Sequence, residues 1–213
     1  MLPLRKRASH LRRAREFTTA EASAVTGISV AKINHYIARE LSTLGVTAWG
    51  NGKRRLIGHD ALVALQVADD FPRSLTPEAR IDVIRKTLVH PKKKDIVLPD
   101  KISVPVGISR KRVTDGLFRL QQATSTIVSD SRTLQGAPCF KGTRIPVHVV
   151  AGIAAASGVD AAKTTYSRLT RSQIELACTY AKAYPQKGRP RRAGDVLSKR
   201  KPKRSRTMSV FID

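Results

Sequence analysis

Residues 18–36 read Thr-Thr-Ala-Glu-Ala-Ser-Ala-Val-Thr-Gly-Ile-Ser-Val-Ala-Lys-Ile-Asn-His-Tyr. Thr18-x-x-Glu21 is a capping-box pattern that opens a helix, with Ala20, Ala24 and Val25 as its inward positions. Gly27 stops that helix. Ser29 caps a second helix running to about Leu41. Val30, Ile33 and Ile37 recur along it at helical spacing and form one buried stripe. Downstream, Val46–Trp49 reads as a strand, Gly50-Asn51-Gly52 as a tight turn with an Asn-Gly hairpin signal, and Lys53–Ile57 as the return strand. Asp60–Phe71 reads as a further helix. Helix, turn, helix, hairpin, helix is the layout of a winged helix-turn-helix.

In that layout the second helix lays its outer face against base edges in the major groove of DNA. The predicted stripe leaves Lys32, Asn34, His35, Tyr36 and Arg39 outward or at the rim. Asn34 suits adenine, Lys32 and Arg39 suit phosphates, and the Tyr36 hydroxyl can donate to one. Lys53, Arg54 and Arg55 sit at the hairpin tip beside glycines, where the chain can approach a phosphate backbone closely. Thr18, Thr19 and Ser29, at the two helix starts, complete the candidate DNA-binding set. Taken singly, Lys32 or Arg39 reads equally as solvated helix surface, and Trp49 reads as packing under the hairpin.

The run Thr18–Ser29 with Ile33-Asn34-x-Tyr36, then Gly52-Lys53-Arg54-Arg55-Leu56 and Asp60-Ala61-Leu62, resembles the winged helix domain of MerR-like regulators. The resemblance implies promoter binding, with Tyr36 and Arg54 at phosphate contacts. Asn34 stands where those proteins often have Arg, and Leu56 where they often have an aromatic. The sequence predicts no long dimerisation helix after the domain, so metal or drug sensing is not implied.

The charge agrees with a nucleic-acid or acidic partner. The chain has 213 residues, with 40 Lys and Arg against 16 Asp and Glu, a formal charge of +24. Residues 1–15 hold six basic and no acidic residues, and residues 187–213 hold ten basic residues against Asp195 and Asp213. The stretch between is still about +10 by the same count. No apolar run approaches the ~20 residues of a membrane span, and no apolar run follows the basic start, so no secretory signal is read. Cys139 and Cys178 are far apart with no CxxC, which excludes a disulfide framework and a Cys-rich zinc site. A reducing, cytoplasmic setting is expected.

Thr76-Pro77-Glu78 opens a helix to about Val89. Lys92–Lys94 is read as a surface loop, Asp95–Leu98 and Ile102–Val106 as short strands, and Ser109 as the cap of a helix through Leu120. A second regular block begins at Thr126-Ile127-Val128. Pro146 opens a helix ended by Gly158, a short helix follows at Asp160–Thr165, and Thr170-x-x-Gln173 opens a last helix to about Tyr184.

Within this block Gly136-Ala137-Pro138-Cys139-Phe140-Lys141-Gly142-Thr143-Arg144-Ile145-Pro146-Val147 resembles the Gly-Thr-Arg-Ile-Pro-Val signature of a small helical domain of unknown function. That domain is common in bacterial VapB-type antitoxins and in proteins encoded beside PIN-like ribonuclease toxins. As architecture, Gly136 and Gly142 suit turns, Pro146 starts a helix, and Thr143 and Arg144 tie the turn to a neighbouring backbone or carboxylate. Cys139 reads as buried rather than reactive.

The tail Lys199–Arg206 has two readings. One is a DNA arm without sequence preference. The other follows from the antitoxin resemblance: a PIN-type nuclease holds its metal in a ring of carboxylates, and Lys203, Arg204 and Arg206 would pair with them. Phe211 and Ile212 would then anchor in an apolar groove.

No Ser–His–Asp spacing, phosphate loop, dinucleotide fingerprint or HExxH is present, and the acidic residues do not cluster. No enzyme, metal or cofactor is expected. The expected fold is mainly α: a basic arm (1–15), a winged helix-turn-helix with a small hairpin (16–75), a mixed connecting segment (76–123), a small helical, helix-turn-helix-like domain (124–186) and a basic tail (187–213). The expected function is that of a type II antitoxin binding a PIN-like ribonuclease toxin and repressing its own operon through operator DNA, as a homodimer. A stand-alone transcription regulator or recombination accessory protein shares the DNA domain. RNA binding shares the charge, but the ten aromatic residues are not interleaved with the basic runs.

Overall fold

The computed structural model describes residues 15–41, 47–50, 54–71, 75–90, 92–99 and 101–186. Lys53, Lys203, Arg204, Arg206, Phe211 and Ile212 lie outside them, as do the tail and nearly all of the basic arm. So does the Gly50-Asn51-Gly52 turn apart from Gly50, and the side chains of Trp49, Arg54 and Arg55.

The chain is mainly helical. Helix α1 (Thr19–Thr26) opens on the predicted box: Thr18 Oγ1 accepts from the Glu21 amide at 3.2 Å, and Glu21 Oε2 accepts from the Thr18 amide at 2.9 Å. Gly27 closes it in the left-handed region at φ 77°. Its buried residues are Glu21, Ala22 and Val25, so Ala20 and Ala24 lie at the margin of the buried face rather than at its centre. Helix α2 (Val30–Tyr36) is capped by Ser29 and continues as a π-helical turn over Ile37–Leu41.

Two expectations for α2 are corrected. Val30 is 40% exposed, whereas Ile33, Tyr36 and Ile37 are buried. Tyr36 enters the buried arc beside Ile33 and Ile37, and this rotates the arc away from Val30. Tyr36 therefore does not point outward.

Strands β1 (Thr47–Gly50) and β2 (Arg54–Ile57) pair antiparallel, with Gly50 opposite Arg54 and Thr47 opposite Ile57. Phe17 bridges to Ile57 by two backbone bonds of 2.9 and 2.8 Å. Helix α3 (His59–Asp70) buries eight consecutive residues from Ala61 to Ala68, so it is the central helix of this body. Helix α4 (Pro77–Val89) starts with Pro at its first turn, capped by Thr76.

Strands β3 (Asp95–Val97) and β4 (Ser103–Pro105) form a second hairpin. Helix α5 (Val106–Thr126) has 21 residues. It starts before Ser109 and ends after Leu120, so Ser109 is not its cap. The stretch read as a connector supplies Val83, Ile84, Ile96, Val104, Val113 and Leu120 to the same apolar core as α1, α2 and α3. Gly116 is where α5 meets α1: a Cβ there would lie 2.1 Å from the Val25 carbonyl oxygen.

The last part has its own core of Ile127, Phe140, Val147, Val150, Leu169, Ile174 and neighbours. Strands β5 (Ile127–Val128) and β6 (Cys139–Phe140) pair antiparallel. Helix α6 (Val147–Thr165) is broken at Gly158, at φ 90° and ψ 164°, which joins the two helices expected on either side of that glycine. Helix α7 (Arg171–Ala183) opens on the Thr170–Gln173 capping box. Its end crosses over: Ala183 is buried in the first core and Tyr184 packs against it.

Candidate nucleic-acid interface

The candidate face is carried by α2, because the left-handed Gly27 turn sets α2 across α1 and the core holds its Ile33 side. Ser29, Lys32, Asn34, His35 and Arg39 are exposed. Thr19 is half-buried at the first position of α1. Thr18 is also half-buried, and its hydroxyl is committed to Glu21, donating to Oε2 at 3.1 Å.

Lys32 and Tyr36 are not free. The Lys32 ammonium forms an ion pair with Asp69 of α3 and lies 5.6 Å from the centre of the Tyr36 ring. The Tyr36 hydroxyl donates to Asp69 Oδ1 at 3.2 Å. Asp69 raises the Lys32 pKa, mainly through that hydrogen bond. Burial raises the Tyr36 pKa, and the Asp69 charge adds to it. Of the predicted contact residues on this helix, Asn34, His35 and Arg39 are exposed and stand outside the Asp69 cluster. His35, Tyr36 and Arg39 also line a cleft of about 330 Å³ against Pro77, Arg80 and Ile81 of α4.

The neighbouring Asp70 works the other way, toward α5. It accepts from Gln66 Nε2 at 3.0 Å and from Ser109 Oγ at 2.6 Å, and pairs with Arg112. Sequence reasoning passed over Asp69 and Asp70. The signal was there: two carboxylates in the last turn of a helix oppose its dipole and need cations or donors.

The hairpin carries Arg54 and Arg55 on β2, opposite Gly50 and Trp49. In the C-terminal unit the signature is architecture. Leu134, Gln135 and Gly136 take positive φ in succession, at 46°, 56° and 81°, and Gly142 sits at 75°. The Thr143 hydroxyl donates to the Phe140 carbonyl at 2.9 Å and accepts from the Ile145 amide at 3.2 Å. The Val147 amide, just after Pro146, donates to the Pro138 carbonyl at 2.9 Å. Of the two side chains expected to tie the turn, Thr143 does so, alongside these backbone bonds. Arg144 is exposed, makes no hydrogen bond or ion pair among the described residues, and stands with Arg168 at the rim of a cleft of about 640 Å³.

Cys139 is buried and Cys178 half-buried, and burial pushes both thiols up, away from the reactive thiolate. Among the described residues no three His, Cys, Asp or Glu side chains gather as a metal site. No described helix is long and apolar enough to cross a membrane.

Residues 127–181 match the family described as "Protein of unknown function (DUF433)". The chain is 27% identical over 190 residues to "Uncharacterized protein y4eO" of Sinorhizobium fredii (strain NBRC 101917 / NGR234), covering 83% of this chain and 85% of that protein. No solved structure matches the chain.

Proposed function

We propose that this chain is a cytoplasmic DNA-binding antitoxin: it holds operator DNA through a MerR-like winged helix-turn-helix and neutralises a PIN-like ribonuclease toxin. One observation carries the DNA half. A short capped helix, a left-handed Gly27 turn and a second capped helix present Asn34, His35 and Arg39 outward, and the β1–β2 hairpin follows them in the chain, the order in which a wing would come. The +24 charge supplies the sequence-independent attraction to phosphates. The antitoxin half is supported by the signature at residues 136–147, inside the matched family segment, and by the basic tail with its apolar tip. Lys203, Arg204 and Arg206 would meet the toxin's metal-binding carboxylates, with Phe211 and Ile212 in a groove beside them.

The test is purification of this chain from its native cells at high salt, with mass spectrometry of the proteins that remain bound. High salt strips partners held through phosphates and keeps packed interfaces. The expected result is a complex of fixed ratio whose ribonuclease activity is blocked. Removing residues 199–213 should restore that activity and spare operator binding. A chain that binds operator DNA and leaves every such nuclease active is instead a stand-alone regulator.

A further inference from the structure

The cleft of about 640 Å³ in the C-terminal unit is built wholly from residues inside the matched family segment, and no contact proposed above uses it. Its lining includes Val128, Asp130, Thr133, Arg144, Ile145 and Arg168. Neither guanidinium group has a hydrogen bond or ion pair among the described residues. Asp130 lines the same cleft and pairs with neither arginine; its Oδ1 accepts from the Arg132 amide at 2.9 Å. The half-buried Thr133 hydroxyl has no partner among the described residues either. Two unpaired guanidinium forks and a hydroxyl lining one concave surface suit an oxyanion-bearing ligand.

The backbone under both arginines is held. Arg144 stands between Thr143, whose hydroxyl closes the turn, and Ile145, whose carbonyl accepts from the Phe140 amide at 3.3 Å. Arg168 precedes the buried Leu169, whose amide donates to the Tyr166 carbonyl at 2.9 Å. Both side chains therefore start from fixed points, which lowers the ordering cost of binding. Within the signature, Gly142 takes the positive-φ turn, Thr143 closes it, Ile145 and Val147 pack on the core, and Pro146 precedes α6. Arg144 is the one member of residues 142–147 whose side chain has no such task.

The walls decide between a polypeptide carboxylate and a nucleic-acid phosphate. Val128 is 43% exposed, and Ile145 is half-buried in the same lining. An acidic peptide can set an apolar side chain next to its carboxylates and cover both. A sugar–phosphate backbone has nothing apolar to place there. We propose that this cleft binds an acidic segment of a partner protein, Arg144 and Arg168 each taking a carboxylate and Val128 and Ile145 an apolar side chain beside them. The site is separate from the DNA and tail contacts of the preceding section and does not rest on them.

Selection of a random dodecapeptide library on the full chain tests it, at about 0.15 M salt to screen long-range attraction to the basic surface. Three proteins are compared: the parent, Arg144→Gln/Arg168→Gln, and Lys92→Gln/Lys93→Gln, which removes the same charge from an exposed loop outside the cleft. The expected peptides join two acidic residues to an apolar one and bind the parent and the lysine variant alike. The arginine variant should bind them at least about tenfold more weakly. Val128→Ser should also weaken them. A single-stranded DNA dodecamer should lose no more affinity with the arginine variant than with the lysine variant. Both arginines are exposed and unpaired, so far-UV circular dichroism and melting temperature should be unchanged.

A library that yields no peptide discriminating the parent from the arginine variant overturns the proposal. So do selected peptides without acidic residues. Loss of DNA binding specific to the arginine variant, with peptide binding intact, would make the cleft a phosphate site instead.

Discussion

The Tyr184 hydroxyl donates a 2.9 Å hydrogen bond to Glu21 Oε1, joining the end of α7 to the first turn of α1. Arg15 approaches both groups, at 3.4 Å from each. Glu21 thereby serves as a capping residue with one oxygen and as a long-range anchor with the other.

Tyr184→Phe should lower the unfolding free energy by about 1 kcal/mol, a partly exposed bond to a charged acceptor. Urea midpoints read this, with the slope unchanged. The pH dependence has a definite sign. Burial first, and then Glu21, push the Tyr184 phenol up to about 12 from an ordinary 10.0. The folded state keeps its proton where the unfolded chain has lost it. Stability present below pH 10 therefore falls between about 10 and about 12. The difference between the parent and Tyr184→Phe should shrink across that window.

Gly116→Ala should cost about 2–4 kcal/mol, because the obstruction at 2.1 Å is the Val25 backbone carbonyl, not a flexible side chain. Gly152→Ala, exposed in α6 with nothing within 4 Å, should stabilise by about 0.5–1 kcal/mol. Thermal melts of the two variants should move in opposite directions.

Asp70→Ala should cost about 2–4 kcal/mol, since it strands the buried Ser109 hydroxyl and leaves Arg112 without its partner. Ser109→Ala should cost about 1 kcal/mol. A double-mutant cycle between them should show a coupling of about 1 kcal/mol. An additive cycle would mean that the 2.6 Å contact carries no stability.

Asp69→Asn frees Lys32 and weakens the tie on Tyr36. If α2 faces phosphates, duplex affinity should rise, and the salt slope of log K should steepen by about 0.9 for one added cation. Stability should fall by about 1 kcal/mol. Fluorescence anisotropy across a salt series reads the first effect. Unchanged affinity and slope would place the α2 face away from the DNA backbone.

Local chemistry was legible in the sequence. The capping boxes at Thr18 and Thr170, the Ser29 cap, the Gly27 stop, the kink at Gly158 and the β1–β2 hairpin are each fixed by a few adjacent residues. What escaped depends on residues distant in the chain. Ser109 looks like a cap by type, but its hydroxyl bonds Asp70, 39 positions earlier, and α5 continues on both sides of it. Tyr36 looks like a surface contact until Asp69 offers its hydroxyl a partner at the edge of the core. Arg144 looks like a tie for the signature turn, but the Thr143 hydroxyl and backbone bonds such as Val147 to Pro138 close that turn. The middle segment seemed a connector because its apolar residues are spread over a helix, a short hairpin and a long helix, none of which reads as a core alone.

The crossing of α7 onto the first body also orders events during synthesis. Ala183 is 3% exposed within a core otherwise built from residues 17–120. A nascent chain can form α1 to α5 early, yet it cannot close that core until the end of α7 has emerged. Until then the Val25 and Leu120 region stays open to chaperones and proteases. The first body to be made is therefore among the last to be finished.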